Sequence, residues 1–220
     1  MRSPIDRRLW LQNRLLCGVD EAGRGALAGP VVAAAVVLPV GCSLPGVNDS
    51  KLLTPRQRAE LYPRIVETAV GWGAGIVSPR RIDAVNIRRA SFEAMQKALD
   101  HLAFSPELVV VDGFRIPGLE LPQAGIVGGD RKSLNIAAAS IIAKVTRDRI
   151  MERLAGRFPE YGFERHKGYG TAEHMAAIDR LGPCPIHRRT FAPVRQMRLA
   201  FRLPPATTSV QPSPSEPGAR

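Results

Sequence analysis

Short apolar runs, several rich in valine, alternate along the chain with polar stretches that carry glycine or proline. Residues 15–20 and 30–38 read as two strands joined by a tight connection through Ala22-Gly23-Arg24-Gly25 and Gly29. A third run at 74–77 closes on Ser78-Pro79, a serine N-cap followed by proline in the first helical turn. Between 91 and 104, Phe92, Met95, Leu99 and Leu102 recur at spacings of three and four, which predicts one buried face of an amphipathic helix. Residues 108–111 are wholly apolar and exit at Asp112-Gly113, the pattern of a strand buried on both faces. Residues 124–127 repeat that pattern more weakly and lead to Asp130. A long helix is predicted over 134–154, small and apolar through 136–143 and charged from Lys144 onward. Thr54-Pro55 opens a further helix, but Pro63 falls inside it at a cost of about 3 kcal/mol, so a break or kink is expected there.

Strands come first as a cluster and then alternate with helices, which predicts an α/β architecture: a mixed sheet flanked by helices. The 220 residues, 45% of them hydrophobic, suffice for one substantial core, and one domain over 1–202 is expected. From Leu203 the composition turns to Pro204, Pro205, Pro212, Pro214 and Pro217 with serine and threonine between. Such a tail, 203–220, cannot offset its ordering entropy by burial and is expected to be disordered. A protein partner for it is left open.

Net charge narrows the partners. The formal excess is +11, and 203–220 contributes nothing to it because its charged side chains are Glu216 and Arg220 alone. A basic surface attracts polyanions, so nucleic acid is the leading partner, anionic membrane the second, and plain solubility a third reading. Cys17, Cys42 and Cys184 form no CxxC pair, which fits a reduced, cytoplasmic compartment. Arg2, Arg7, Arg8 and Arg14 have no apolar run between them, unlike a secretory signal. The nearly apolar stretch 30–40 falls short of the roughly 20 residues a membrane helix needs. The expectation is a protein neither secreted nor membrane-spanning, and nothing demands more than a monomer.

The chemistry is sought among carboxylates. Hydrolysing a phosphodiester without a covalent intermediate usually calls for two divalent ions about 4 Å apart, and hard cations such as magnesium prefer carboxylate oxygens. Asp20 and Glu21 follow the first strand, Asp112 the long apolar strand, and Asp130 precedes the long helix. If those strands are neighbours, the four acids converge at one edge of the sheet. Each has an ordinary alternative: Asp130 a helix cap, Asp112-Gly113 a turn, Asp20-Glu21 a solvated strand end. Consecutive strand residues point to opposite faces, so Asp20 and Glu21 can share an ion only if the chain bends there, which Gly23 and Gly25 make inexpensive. Asp148, four residues after Lys144, is expected to pair with that lysine and is left out of the site. His166, His174 and His187 lack zinc spacing, and His174 is expected to be structural.

These stretches resemble a known family, ribonuclease HII. The similarity lies in GVDEAGRGALAGPVVAAAVVL (18–38), NDSK (48–51), VVVDG (109–113), GDRKSLNIAAASIIAKVTRDRIM (129–151), YGFERHKGYGTAEH (161–174) and PIHRRTFAPV (185–194), in the family's order. The resemblance implies a ribonuclease H-like fold with a mixed five-stranded sheet flanked by helices and a helical C-terminal extension. It also implies dependence on Mn2+ or Mg2+ and cleavage of RNA in RNA·DNA hybrids. Single ribonucleotides in duplex DNA would be incised on the 5′ side, leaving 3′-hydroxyl and 5′-phosphate ends. It places the metal-binding and catalytic carboxylates on Asp20, Glu21, Asp112 and Asp130. Gly23-Arg24-Gly25 would sense the 2′-hydroxyl, the group that distinguishes RNA from DNA at one sugar. Tyr169 would pack on the sugar beyond the ribonucleotide, while Ser50, Lys51 and Ser133 would contact substrate phosphates. Gly128 and Arg131 beside Asp130, and Pro63, depart from the family pattern.

Overall fold

The computed structural model describes residues 4–12 and 15–200; the tail expected from residue 203 lies outside them. A short helix, α1 (Pro4–Trp10), leads to β1 (Leu16–Ala22) and β2 (Val31–Val37). β2 consists of valine and alanine alone and is buried at every position, as a strand covered on both faces must be. There follow α2 (Pro55–Thr68), β3 (Gly71–Val77), α3 (Pro79–Val85), α4 (Ile87–Asp100), β4 (Leu108–Asp112) and β5 (Gln123–Ile126). The long helix α5 (Leu134–Arg157) precedes three short ones, α6 (Phe163–His166), α7 (Ala172–Leu181) and α8 (Ala192–Ala200), which form the expected helical extension.

The sheet is mixed and five-stranded, in the order β3-β2-β1-β4-β5. β1 to β3 are antiparallel neighbours, and β4 and β5 run parallel to β1. Alternation sends Leu16, Ala34, Val36 and Val110 toward α5, and Cys17, Val19, Ala33, Ala35, Val109 and Val111 toward α4. Both helices sit unusually close. A Cβ on Gly18 would lie 2.1 Å from the backbone of Asn135 in α5, and one on Gly75 would lie 2.0 Å from the Ala94 carbonyl in α4.

Two expectations about helices are corrected. α2 runs through Pro63 without interruption, because Leu61 and Ile65 on either side are buried in the core and Thr54 and Gln57 form a capping box. Two such burials contribute about 1.5–3 kcal/mol each, enough to offset the proline. The helix expected over 91–104 begins earlier, after the Asn86 cap, and ends at Asp100, so Leu102 lies beyond it; Met95 and Leu99 are buried as expected, together with Ala90, Ala94 and Ala98, while Phe92 is only partly covered. The N-cap at Ser78 is as expected, its side chain accepting from the Arg81 amide.

A smaller core joins the connection between β1 and β2 to the extension. Ala28 packs with Met151, Ala155, Tyr161, Phe163, Ala177 and Cys184, and Leu27 packs with Ile178 and Val194. The glycine-bearing connection is thereby held by residues far along the chain.

Candidate active site

β1 and β4 are parallel neighbours paired through Val19 and Val111, so the next residues, Asp20 and Asp112, leave the sheet side by side on the α5 face. Asp130 joins them from a 3-10 turn, Gly129–Arg131, that leads into α5. One carboxylate oxygen from each of the three lies within 4.8 Å of the others. Asp20 and Asp130 are 5% and 3% exposed. Burial, then the neighbouring charges of Glu21 and Asp112, hold the Asp20 carboxyl well above the usual aspartate value. Burial, Asp112 and Asp49 raise Asp130 in the same way. At such separations each ionised pair repels by about 3–4 kcal/mol at an effective dielectric near ~20. Three hard oxygen donors in mutual repulsion fit a divalent cation.

Some compensation comes from Lys51, whose Nζ lies 3.7 Å from an Asp130 oxygen. Partial burial lowers its pKa, but Asp20, Asp130, Asp49 and Asp112 outweigh that and raise it above the ordinary lysine value. The backbone also contributes: the Gly129 amide donates to Asp112 Oδ1 and the Glu21 amide to Asp20 Oδ1, each at 2.7 Å. Gly128, one of the departures from the family pattern, adopts the left-handed conformation, φ +63°, which favours glycine.

Glu21 is placed differently from expectation. β1 stays in register with β2 through Asp20, Glu21 and Ala22, so no bend brings the two acids to one face. The departure comes at Gly23, with φ +91°. Glu21 instead lines a recess of about 40 Å³ on the α4 side with Arg24, Ser91, Phe92, Met95 and Asp112, and accepts from Arg24 Nη1 at 3.2 Å. Burial raises Glu21 while Arg24 opposes the shift. Asp112 borders both the recess and the three-carboxylate cluster.

The glycine loop rests on two arginines that are wholly buried. Arg147 donates to the carbonyls of Pro30, Lys167 and Ala28, each at 3.0 Å. Arg188 donates to Gly23 at 2.7 Å, Arg24 at 2.9 Å, Gly29 at 3.1 Å and Pro30 at 3.2 Å. A Cβ on Gly23 would lie 2.0 Å from Arg147 Nε, whereas Gly25 faces open space. Tyr169 is half-buried nearby, its ring centroid 5.2 Å from the Arg147 guanidinium and 5.4 Å from Lys144 Nζ. It borders a cleft of about 530 Å³ whose walls include Arg58, Lys144, Arg149 and Lys167.

The Ribonuclease HII family model matches residues 17–194. The chain belongs to the ribonuclease HII family. Ribonuclease HII of Syntrophotalea carbinolica is 54% identical over 197 residues, covering 88% of this chain and 94% of that one. Ribonuclease HII of Desulfitobacterium hafniense is 50% identical over 192 residues, covering 87% and 74%. Among solved structures, ribonuclease H2 of Pyrococcus horikoshii superposes with a TM-score of 0.70 at 30% identity, covering 85% of this chain and 98% of that chain. As a ribonuclease HII, the chain is a metal-dependent endoribonuclease acting on RNA in RNA·DNA hybrids. Among the described residues, no helix is long and apolar enough to cross a membrane.

Ser133, expected to contact a substrate phosphate, is turned inward in the structure. It is fully buried, its hydroxyl donates to Asp6 at 2.7 Å and accepts from the Ile136 amide at 3.2 Å, and it caps α5. Ser50 is buried as well, its amide donating to Ser140 and its carbonyl accepting from Arg58. Asp148 pairs with Lys144 at 2.8 Å, as expected. Sequence reasoning missed Arg147, Arg188 and Asp49, the last of which adds to the acidic crowding that raises Asp130. Only the NDSK match pointed toward Asp49; a buried arginine gives no local signal.

Proposed function

We propose that this ribonuclease HII incises duplex DNA on the 5′ side of an embedded ribonucleotide, leaving 3′-hydroxyl and 5′-phosphate ends, in ribonucleotide removal from DNA. The observation that carries the site assignment is the convergence of Asp20, Asp112 and Asp130 oxygens within 4.8 Å, beside the glycine loop. Asp20, Asp112 and Asp130 would hold Mn2+ or Mg2+, with Glu21 reaching the same edge from the opposite face. When bound, two such ions supply an activated water and stabilise the leaving 3′ oxygen.

The chain's own groups do the rest. Gly23-Arg24-Gly25 presents backbone to the 2′-hydroxyl, and the arginine brace fixes where that backbone stands. Tyr169 packs on the following sugar. Lys51 and the Ser50 segment border the carboxylates and meet the scissile phosphate, while Lys144, Arg149 and Lys167 offer positive charge to the flanking backbone. Residues 1–202 form the catalytic domain of a cytoplasmic monomer, and 203–220 lie outside it.

A duplex carrying one ribonucleotide, incubated with Mg2+ or Mn2+, tests this reading. The wild type should give a single nick 5′ to the ribonucleotide, and Asp20→Asn should give none. Absence of the nick, or equal cutting of an all-DNA duplex, would refute it.

A further inference from the structure

Beneath Tyr169, away from the carboxylates, His166, His174, His187 and Cys184 form a buried cluster. Their backbone partners determine which nitrogen of each ring carries the proton. The Cys184 amide points at His187 Nδ1 at 2.9 Å. The Cys184 carbonyl oxygen is more distant from Nδ1, at 3.3 Å, and the Cys184 thiol lies 3.1 Å from it. An amide nitrogen can only donate, and it makes the shorter contact, so Nδ1 accepts and the His187 proton sits on Nε2. That nitrogen lies 3.0 Å from His174 Nε2, which must then accept. The His174 proton is left on Nδ1, 2.9 Å from the Tyr169 carbonyl oxygen. The donors thus run in one direction, from Cys184 through His187 and His174 to Tyr169. His166 is ordered by the same logic: its Nδ1 accepts from the Gly168 amide at 3.1 Å, so Nε2 donates to the Tyr161 carbonyl at 2.8 Å. The His166 and His174 rings stack with centroids 4.4 Å apart. Burial pulls His174 and His187 down to about 4, so both rings are neutral near pH 7, as the ordered chain requires.

The pair ends on the segment that carries the sugar-reading tyrosine. The Tyr169 amide donates to the His166 carbonyl at 2.9 Å, and its own carbonyl accepts from Thr171 as well as His174. One residue earlier, the Gly168 carbonyl accepts from the Leu27 amide at 2.8 Å, and a Cβ on Gly168 would lie 2.6 Å from the Ala28 carbonyl. The same short segment is therefore tied on one side to the histidines and on the other to the end of the glycine loop.

We propose that His174 and His187 are positioning residues for ribose recognition: their proton-ordered pair fixes the backbone of Tyr169 and, through Gly168, the register of the glycine loop. This rests on the reading of Tyr169 as the sugar-packing residue at an RNA-to-DNA junction. Misplacing a substrate-contacting group by 1 Å can cost on the order of 10²-fold in rate, so a brace of this kind bears on selectivity as well as stability. Histidines that served only as filler would tolerate a phenylalanine of similar shape. A relay would not, because phenylalanine offers the Tyr169 carbonyl no donor.

The test compares kcat/KM on a duplex with one ribonucleotide against a continuous RNA·DNA hybrid, for wild type, His174→Phe, His174→Asn and Tyr169→Ala. His174→Phe should lower the junction-to-hybrid ratio by at least about tenfold. His174→Asn, whose amide nitrogen can stand where Nδ1 stands, should restore most of it. An unchanged ratio in His174→Phe, or equal deficits in the Phe and Asn variants, would overturn the relay while a low ratio in Tyr169→Ala upheld the tyrosine. An unchanged ratio in Tyr169→Ala would overturn the sugar-packing role and the selectivity claim with it. Long-range 15N spectra of wild-type protein give a readout that no variant's folding can spoil. His174 should show an unprotonated Nε2 and His187 an unprotonated Nδ1, and the reverse tautomers would overturn the proposal.

Discussion

The carboxylate cluster and the scaffold under the glycine loop begin at neighbouring points of one strand end, at Asp20 and Gly23, yet they face opposite electrostatic problems. The cluster gathers like charges in a buried place, with the Lys51 ammonium and two backbone amides as partial compensation. The scaffold buries two cations, Arg147 and Arg188, and directs their donors at carbonyl oxygens of three separate segments. Burial and Arg147 pull Arg188 down to about 9, which still leaves it a cation at neutral pH. One half of the site is frustrated until a cation arrives. The other is complete beforehand, as a reader of a single hydroxyl must be.

The difference makes opposite predictions for the two halves, the largest at Asp112. Asp112→Asn keeps an acceptor for the Gly129 amide but removes one of the carboxylates that push Asp20 and Asp130 up. Incision should fall by on the order of 10³-fold. A carboxyl whose pKa is raised in the fold opposes folding once it ionises, so this variant should melt higher than wild type without divalent ions, by about 2–4 °C for each kcal/mol relieved. A lower melting temperature would break the claim that the cluster is frustrated.

Arg188→Met sits on the other side of the comparison. It leaves the carbonyls of Gly23, Arg24 and Gly29 short of a buried donor, and should cost about 2–4 kcal/mol in urea unfolding. Arg188→Lys should recover little, because one ammonium cannot reproduce a planar fork that reaches several carbonyls. A loss below about 0.5 kcal/mol, the range of an ordinary surface change, would mean the brace is dispensable.

The same contrast explains what could be read from the chain. Asp20 and Asp112 were legible because apolar runs end where strands end, and pairing of neighbouring strands then brings those ends together. The bend expected at Glu21 is absent because Ala33 and Ala34 keep the ladder intact beside it; the glycines act only from Gly23. Met95 and Leu99 on the buried face of α4 were legible, but Ala90, Ala94 and Ala98 were not, because Phe92 looks more apolar than they do. Yet Gly73 and Gly75 opposite leave room only for small residues. Ser133 stands before a helix, where a serine can be a cap or a phosphate ligand, and Asp6, far away in sequence, decides for the cap. Arg147 and Arg188 carry no local mark of burial. Their acceptors belong to segments that meet only in the folded chain.

The smallest predicted effect separates the two halves by their response to acid. His174 and His187 are depressed to about 4 by burial, from an ordinary value of 6.5. The unfolded chain therefore takes up protons first, and the stability that the neutral rings contribute is full above about pH 6.5 and lost as pH falls toward 4. Of the groups facing them, Cys184 and Tyr161 are pushed upward by burial and stay protonated, Arg165 lowers the Glu173 carboxyl, and charge on the stacked His166 adds to the depression of both rings. The raised carboxyls of Asp20, Glu21 and Asp130 act in the opposite sense, gaining stability as they are protonated. Wild type alone thus reports a partial cancellation. The stability gap between wild type and His174→Phe isolates the part due to His174, and it should shrink by about 2 kcal/mol between pH 7 and pH 4.5. A gap independent of pH would mean that the rings are not held neutral, and the finished half of the site would then carry a charge problem of its own.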